Sequence, residues 1–207
     1  QKCQLIIHTN MKHKKLLAAL AVFSTLTVTS CTDKAYGPLP TDDQLAWADM
    51  EYYMFCHFGP NTFSGLQWGL GNENPDIFNP TELDCEQWVR TAKEAGMKGI
   101  ILTAKHHDGF CLWPSRYSTH TVAQSSWRGG KGDVVKELRD ACDKYDFPMG
   151  VYISPWDRNH PAYGTEEYNR IFAGTIEEVH KNYGPFFEQW FDGANGGADI
   201  PDYDWPL

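Results

Sequence analysis

The sequence predicts an α/β protein that contains about the first four β/α units of a (β/α)8 TIM-like barrel. Short apolar runs alternate with amphipathic helical segments along the chain, and this alternation predicts parallel strands joined by right-handed crossovers. The predicted units are longer than a strand and a helix require, and the extra residues lie in the loops after the strands. In (β/α)8 barrels these loops form the active site. A complete barrel needs about 250 residues, so we expect a barrel truncated after its fourth strand. No glycine-rich phosphate loop follows the first strand, which disfavours a doubly wound sheet.

The first predicted unit begins with an apolar strand over residues 52–58 and continues as a polar loop to about residue 83. Asp84 then caps a helix, and Gln87 at the third helical position completes a capping box. Gly96 ends this helix, as glycine commonly does after a last turn. The predicted apolar face of the helix consists of Trp88, Val89, Ala92 and Ala95.

The remaining units repeat the same pattern. Residues 98–103 predict the second strand, and a helix follows over 133–145. Residues 149–153 predict the third strand, and Thr165 is expected to cap the next helix. Residues 187–191 predict the fourth strand, which leads into a second stretch of polar and glycine residues.

A secretory signal is predicted over residues 11–31. Residues 11–15 are basic and residues 16–28 are apolar, a run that is too short to span a hydrocarbon core of about 30 Å. The small residues before Cys31 resemble a bacterial lipobox, so we expect lipidation at Cys31. The protein would then be exported, either periplasmic or anchored in the outer membrane as a lipoprotein.

Residues outside this signal divide into three segments. Residues 1–10 precede the only plausible initiator and are interpreted as translated upstream sequence. Residues 32–44 are rich in Thr, Asp, Gly and Pro and are interpreted as a tether. Residues 45–207 are expected to form the amino-terminal half of the barrel domain.

Composition excludes several classes of protein. Apolar residues make up 42% of the chain and charged residues 22%, which is typical of a globular domain. A net charge of −9 argues against a nucleic-acid partner, because such proteins carry clustered basic residues. The aromatic content of 14%, with eight tryptophans, fits either a large core or a carbohydrate-binding cleft. The six cysteines lack zinc-ligand spacing, and we expect no essential disulfide among those of the core.

Polar side chains cluster where the predicted strands end. Because the carboxyl ends of parallel strands meet on one barrel face, we expect these side chains to form one site. They are His57 after the first strand, His106, His107 and Asp108 after the second, Ser154, Trp156 and Asp157 after the third, and Asp192 after the fourth.

Three chemistries could use this set. A metal could bind His57, His106, His107 and Asp192, but no HxH or HExxH spacing is present and adjacent strand residues point to opposite faces. A histidine could act as a general acid or base near neutral pH. A carboxylate could attack a sugar, with neutral side chains holding the hydroxyl groups.

Three segments together are similar to glycoside hydrolase family 29, the α-L-fucosidases. They are "FCHFGPNTF" at 55–63, "HHDGFCLW" at 106–113 and "WFDGAN" at 190–195. The resemblance implies a retaining exo-glycosidase with a (β/α) barrel and a carboxyl-terminal β-sandwich, acting without a cofactor or metal on a fucosylated oligosaccharide or glycoprotein glycan.

The resemblance also implies roles for individual residues. Asp192 would be the nucleophile, and His57, His106 and His107 would bind fucose hydroxyls. Trp190 would line the same pocket. Ordinary barrel packing remains an alternative role for Trp190 and also for Tyr152, a further candidate for substrate binding, and packing is the expected role of Trp113.

Two departures from the family pattern bear on function. Many relatives carry a Glu-Trp pair in the loop after the first strand, where this chain has Gln67 and Trp68. Gln67 can bond a sugar hydroxyl but carries no charge. The general acid/base of the family comes from a later part of the barrel, so we expect it outside residues 1–207 and expect this chain alone to be inactive and poorly folded. The alternatives are a non-catalytic sugar-binding relative, an α-galactosidase of the same fold and a metal-dependent hydrolase.

Overall fold

The computed structural model describes residues 37–194, and those from Thr41 on belong to one compact unit. The predicted signal, the lipidation site at Cys31 and most of the predicted tether lie outside the described residues. Within 37–194, no helix has the length and apolar character needed to cross a membrane.

Four strands form one parallel sheet in the order β1-β2-β3-β4. They are β1 (Met54–Cys56), β2 (Ile100–Lys105), β3 (Met149–Ile153) and β4 (Gln189–Trp190). Each strand pairs with the next one in the chain, which is the order of the first four units of a (β/α)8 barrel. The predicted α/β class is therefore confirmed. The first and fourth strands are shorter than predicted, and the second begins and ends two residues later than predicted.

Five α-helices accompany the strands. They are α1 (Asp42–Met50), α2 (Pro60–Ser64), α3 (Cys85–Glu94), α4 (Val134–Lys144) and α5 (Glu166–Tyr183). The sequence interpretation did not anticipate α1 or α2. Helix α1 begins inside the predicted tether because Thr41 and Gln44 form a reciprocal capping box.

The predicted ends of α3 are largely confirmed. Asp84 accepts a hydrogen bond from the Gln87 amide at 2.8 Å. Gly96 has a φ of +79°, and the following amide donates to the Ala92 carbonyl at 2.9 Å, which closes the helix in a Schellman-type turn.

Three details of the predicted helices were wrong. The Gln87 side chain donates to Thr91 within the helix, so the capping box of α3 is incomplete. Ala95, placed on the apolar face, is exposed. Thr165 stands at the start of α5, but its hydroxyl donates to the Ala162 carbonyl instead of capping the helix.

The core lies between the sheet and helices α3 to α5. Ile100, Leu102 and Ala104 alternate along β2 and pack in one cluster with the apolar faces of the helices, including Val89 of α3 and Leu138 of α4. The intervening residues of β2 and β3 are also buried and occupy the other face of the sheet. In a barrel that second face points inward, so its side chains reach the interior.

Four cysteines lie in the described part of the chain, and all four are buried and free: Cys56, Cys85, Cys111 and Cys142. Burial raises the pKa of the Cys56 thiol to about 12, so it remains protonated near neutral pH. These side chains act as small apolar groups in the core.

Candidate active site at the carboxyl ends of the strands

The two adjacent histidines lie on the same side of the sheet because β2 has already ended. The strand stops at Lys105, and the Gly109 amide donates to the His106 carbonyl at 3.0 Å to close a turn. Gly109 has a φ of +80°, which favours glycine. The rings of His106 and His107 lie 4.2 Å apart between centroids. The alternation rule that separates neighbouring strand residues therefore does not apply to this pair.

Side chains from the first and third strands complete the histidine cluster. The rings of His57 and His106 meet edge to face with centroids 5.5 Å apart. Tyr152, from the inward face of β3, stacks on His106 with centroids 5.8 Å apart. The structure thus brings together the three predicted histidines and Tyr152.

Asp192 follows β4 and accepts two hydrogen bonds. The Tyr152 hydroxyl donates to Oδ2 at 3.0 Å, and the Ala194 amide donates to Oδ1 at 2.8 Å. His107 Nε2 lies 3.8 Å from Oδ2, and about a third of the Asp192 side chain is exposed. Burial alone would raise the pKa of Asp192, but the hydrogen bonds from the Ala194 amide and the Tyr152 hydroxyl lower it, and the pKa lies below its ordinary value. Asp192 is therefore ionised near neutral pH.

The three histidines are held in their neutral form. Burial, together with the neighbouring His107 and His57, lowers the pKa of His106 to about 4. Burial also lowers the pKa values of His57 and His107, although Asp192 opposes this change in both. A neutral imidazole donates one hydrogen bond and accepts another. The cluster can therefore serve both roles toward a polar ligand.

An aromatic wall borders Asp192. Trp190 is 38% exposed, and its ring meets the ring of Phe55 edge to face at 5.3 Å. Phe55 in turn stacks on His57 at 5.0 Å. Phe55 was absent from the sequence-based site, because a phenylalanine inside a strand is indistinguishable from a core residue.

The loop after β1 places Gln67 and Trp68 at the edge of the same site. A cavity of about 240 Å³ is lined by His57, Gln67 and His106 together with Asp108. Trp68 is 49% exposed, and its ring lies edge-on to His107 at 5.9 Å. Gln67 therefore lines the same cavity as His57 and His106, and Trp68 lies against His107.

The loop after β3 holds the Gln67–Trp68 loop in place. Arg158 donates to the Gly69 carbonyl at 2.6 Å, and Asn159 donates to the Gly71 carbonyl at 2.7 Å. The rings of Trp68 and Trp156 meet edge to face at 6.0 Å. Two loops that are distant in sequence thus form one rim.

The other strand-end carboxylates have structural partners. Asp108 accepts hydrogen bonds from the Phe110 amide at 2.8 Å and from Asn61 at 2.9 Å. Asp157 pairs with the buried Lys105 at 2.7 Å. These contacts agree with leaving both carboxylates out of the catalytic set.

Two further expectations can be compared with the structure. Across residues 37–194, no group of three His, Cys, Asp or Glu side chains has the arrangement of a metal site. Trp113 is fully buried and donates from Nε1 to Glu178 at 3.0 Å, which is the packing role expected for it.

Comparisons with known proteins agree on one family. The family model described as alpha-L-fucosidase matches residues 42–205. Alpha-L-fucosidase 1 of Arabidopsis thaliana is 50% identical over 163 residues, which cover 78% of this chain and 32% of that protein. A glycoside hydrolase 29 family member from an unknown rumen bacterium is 57% identical, with a TM-score of 0.76 over 78% of this chain and 29% of the other.

A second solved structure carries a ligand. It is the glycoside hydrolase 29 fucosidase of Ruminococcus gnavus in complex with fucose, which is 38% identical to this chain. Its TM-score is 0.72, over 79% of this chain and 38% of the other. The chain thus spans about a third of the length of the relatives that it matches.

Proposed function

Because this chain belongs to the α-L-fucosidase family, we propose that it forms the amino-terminal part of the catalytic domain of a retaining exo-glycosidase. The enzyme hydrolyses terminal α-L-fucosyl linkages of glycans. The observation that carries this proposal is Asp192, an ionised and partly exposed carboxylate beside three neutral histidines. Its substrate is a fucosylated oligosaccharide or a glycoprotein glycan.

Asp192 acts as the nucleophile. One of its carboxylate oxygens bonds to the anomeric carbon while the bond to the leaving oxygen breaks, which gives a covalent glycosyl-aspartate. A second carboxyl group protonates the leaving oxygen and then activates the water that releases the sugar. We place this acid/base outside residues 1–207, as the family resemblance implies, and the contacts of Asp108 and Asp157 with Phe110, Asn61 and Lys105 are consistent with leaving both out of that role.

The substrate hydroxyls are recognised by His57, His106 and His107, with Trp190 as an apolar wall. Gln67 occupies the cavity beside His57 and His106 and offers a neutral amide. An amide can bond a hydroxyl as donor or acceptor, so Gln67 preserves binding without adding charge next to the nucleophile.

The proposed route to the substrate is export. The basic and apolar segments over 11–31 direct the chain across a membrane, and Cys31 carries the lipid. Growth of a bacterium that expresses the gene with radiolabelled palmitate should label the unmodified protein. The Cys31→Ser variant should stay unlabelled, and equal labelling of both would contradict the anchor.

The deciding experiment compares the complete gene product with its Asp192→Gly variant on an aryl α-L-fucoside. We expect turnover by the variant to fall by several orders of magnitude, on the order of 10⁴-fold, and azide to restore part of it as an external nucleophile. Asp146→Gly is the matched control. This aspartate is exposed, lies before β3 and has a φ of +47°, which glycine adopts readily.

Other results of this experiment would lead to different conclusions. Normal turnover by Asp192→Gly would remove Asp192 from the chemistry. If neither protein turned over the fucoside but both bound fucose, the sugar-binding alternative, which the neutral Gln67 favours, would replace the enzyme. Loss of the unmodified activity in EDTA would support a metal-dependent hydrolase.

A further inference from the structure

Ser154 lies directly behind His107, on the side away from Asp192. Its Oγ is 2.7 Å from His107 Nδ1 and 2.8 Å from the Trp156 carbonyl oxygen. Ser154 is fully buried and His107 is 2% exposed. The serine therefore forms the middle of a short buried chain from the histidine ring to the backbone of the loop after β3.

The single hydrogen of the serine hydroxyl decides the direction of this chain. The Trp156 carbonyl oxygen can only accept, so the short contact with Ser154 requires the serine to donate to it. The hydroxyl then has no hydrogen left for His107 and must accept from the ring at Nδ1. The reverse arrangement would leave two oxygen lone pairs facing each other at 2.8 Å in a buried position.

We propose that Ser154 is a positioning residue that fixes His107 in its Nδ1–H tautomer, so that the lone pair of Nε2 faces Asp192. The ring orientation is held as well. Trp156 packs against the imidazole with centroids 4.8 Å apart, and the Arg158 amide donates to the His107 carbonyl at 2.9 Å. Rotation of the ring would break the bond to Ser154.

The tautomer determines what His107 does in the site. Nε2 and the Asp192 Oδ2 atom are 3.8 Å apart, and both are acceptors in this tautomer, so they share no hydrogen bond. The hydrogen-bond donor to Nε2 must therefore come from a bound ligand. On the basis of the proposed function, this donor is a sugar hydroxyl, and His107 selects an orientation of the substrate in which that hydroxyl points at Nε2.

The tautomer can be read directly in the complete gene product without substrate. Histidine labelled with ¹⁵N gives different Nδ1 and Nε2 shifts for a protonated and an unprotonated ring nitrogen, and the His107→Gln variant identifies the His107 signals. A protonated Nδ1 with an unprotonated Nε2 at pH 7.5 is the expected result. The opposite pattern would overturn the proposal.

Substitution of the serine separates a positioning role from simple packing. Ser154→Ala should give a mixture of the two His107 tautomers, and kcat/KM on an aryl α-L-fucoside should fall about tenfold because the buried Nδ1 loses its partner. Ser154→Thr keeps the hydroxyl and should restore the Nδ1–H signals. Unchanged His107 signals in Ser154→Ala would overturn the proposal.

Ser125→Ala is the matched control. Ser125 is also buried, and its hydroxyl donates to the Val122 carbonyl at 2.8 Å, in a loop away from the strand-end site. Its substitution should leave the His107 signals unchanged. If Ser125→Ala changed these signals as much as Ser154→Ala does, the Ser154 effect would be a general effect of packing. If the protein hydrolyses no fucoside, the proposed function fails while the tautomer measurement still decides this proposal.

Discussion

At the scale of single residues, Asp108 is a buried charge next to the histidine cluster. It is 1% exposed, and burial raises its pKa to about 6, although bonds from Phe110 and Asn61 partly oppose this rise. The folded pKa is above the ordinary value of about 3.9. The folded state therefore binds more protons between these two values, and Asp108 lowers the stability of the fold as pH rises through that window.

Asp108→Asn should consequently stabilise the complete protein at pH 8, by about 1 kcal/mol, and by less at pH 5. The amide keeps an acceptor for Phe110, and Asn61 can turn its buried unpaired Oδ1 toward the new donor. Urea denaturation at both pH values measures the difference. Asp49→Asn, at an exposed position, is the control. The gain is the unfolding free energy of the variant minus that of the unmodified protein. A gain that is smaller at pH 8 than at pH 5 would contradict this account.

At the scale of elements, a buried ion pair joins β2 to the loop after β3 and to α5. Lys105 Nζ lies 2.7 Å from Asp157 and 2.9 Å from the Tyr168 hydroxyl, and both charged side chains are under 5% exposed. Burial alone would raise the pKa of Asp157, but the Lys105 charge and the hydrogen bonds from Lys105, the His160 amide and Tyr168 together lower it. This pair fixes the start of the loop that carries Arg158 and Asn159 to the rim of the site.

Lys105→Met should cost about 3 kcal/mol of unfolding free energy, because it leaves a buried carboxylate without its cation. Lys136→Met is the matched control. Lys136 pairs with Asp140 at 2.6 Å, but both of those side chains are 61% exposed, so its loss should cost much less than the loss of Lys105. Urea denaturation measures both variants. Equal losses of unfolding free energy would show that burial does not determine how much an ion pair contributes to stability.

The contact between the two rim loops depends on Gly71. It has a φ of +83°, and a Cβ placed there would lie 2.5 Å from the Arg158 backbone. Gly71→Ala should displace the Gln67–Trp68 loop and raise KM for a fucoside. Gly65→Ala is the control, since Gly65 has a φ of +71° with open space around it and pays only about 1 kcal/mol of backbone strain. Similar KM values for the two variants would show that the contact between the two rim loops does not affect substrate binding.

At the scale of the whole molecule, the sequence predicted that the strand-end side chains meet in one site. It did not predict the contacts that hold those side chains in position. Parallel strands in chain order bring His57, His106, His107 and Asp192 to one edge, and polar residues at strand ends are visible in sequence. Ser154 was noticed at a strand end, but its bond to His107 depends on the side-chain rotamer and on the path of the next loop. Helix α1 was missed because its cap lies in a segment whose composition resembles a tether.

The described part of the chain leaves one helix and two strand edges exposed. Helix α1 buries none of its residues, and Leu45 and Trp47 are 49% and 47% exposed. In sheet order, β1 and β4 stand at the two edges, and Phe191 beside β4 is 54% exposed. Open strand edges and exposed aromatic groups favour association.

Trp47→Gln distinguishes a covered surface from a solvent-facing one. If later barrel units pack on α1, the substitution should destabilise the complete protein by about 2 kcal/mol, even though Trp47 is half exposed in residues 37–194. Urea denaturation of the complete protein measures the effect. A substitution that is neutral in the complete protein would mean that α1 faces solvent there, and barrel closure would then have to bury the edge strands without it.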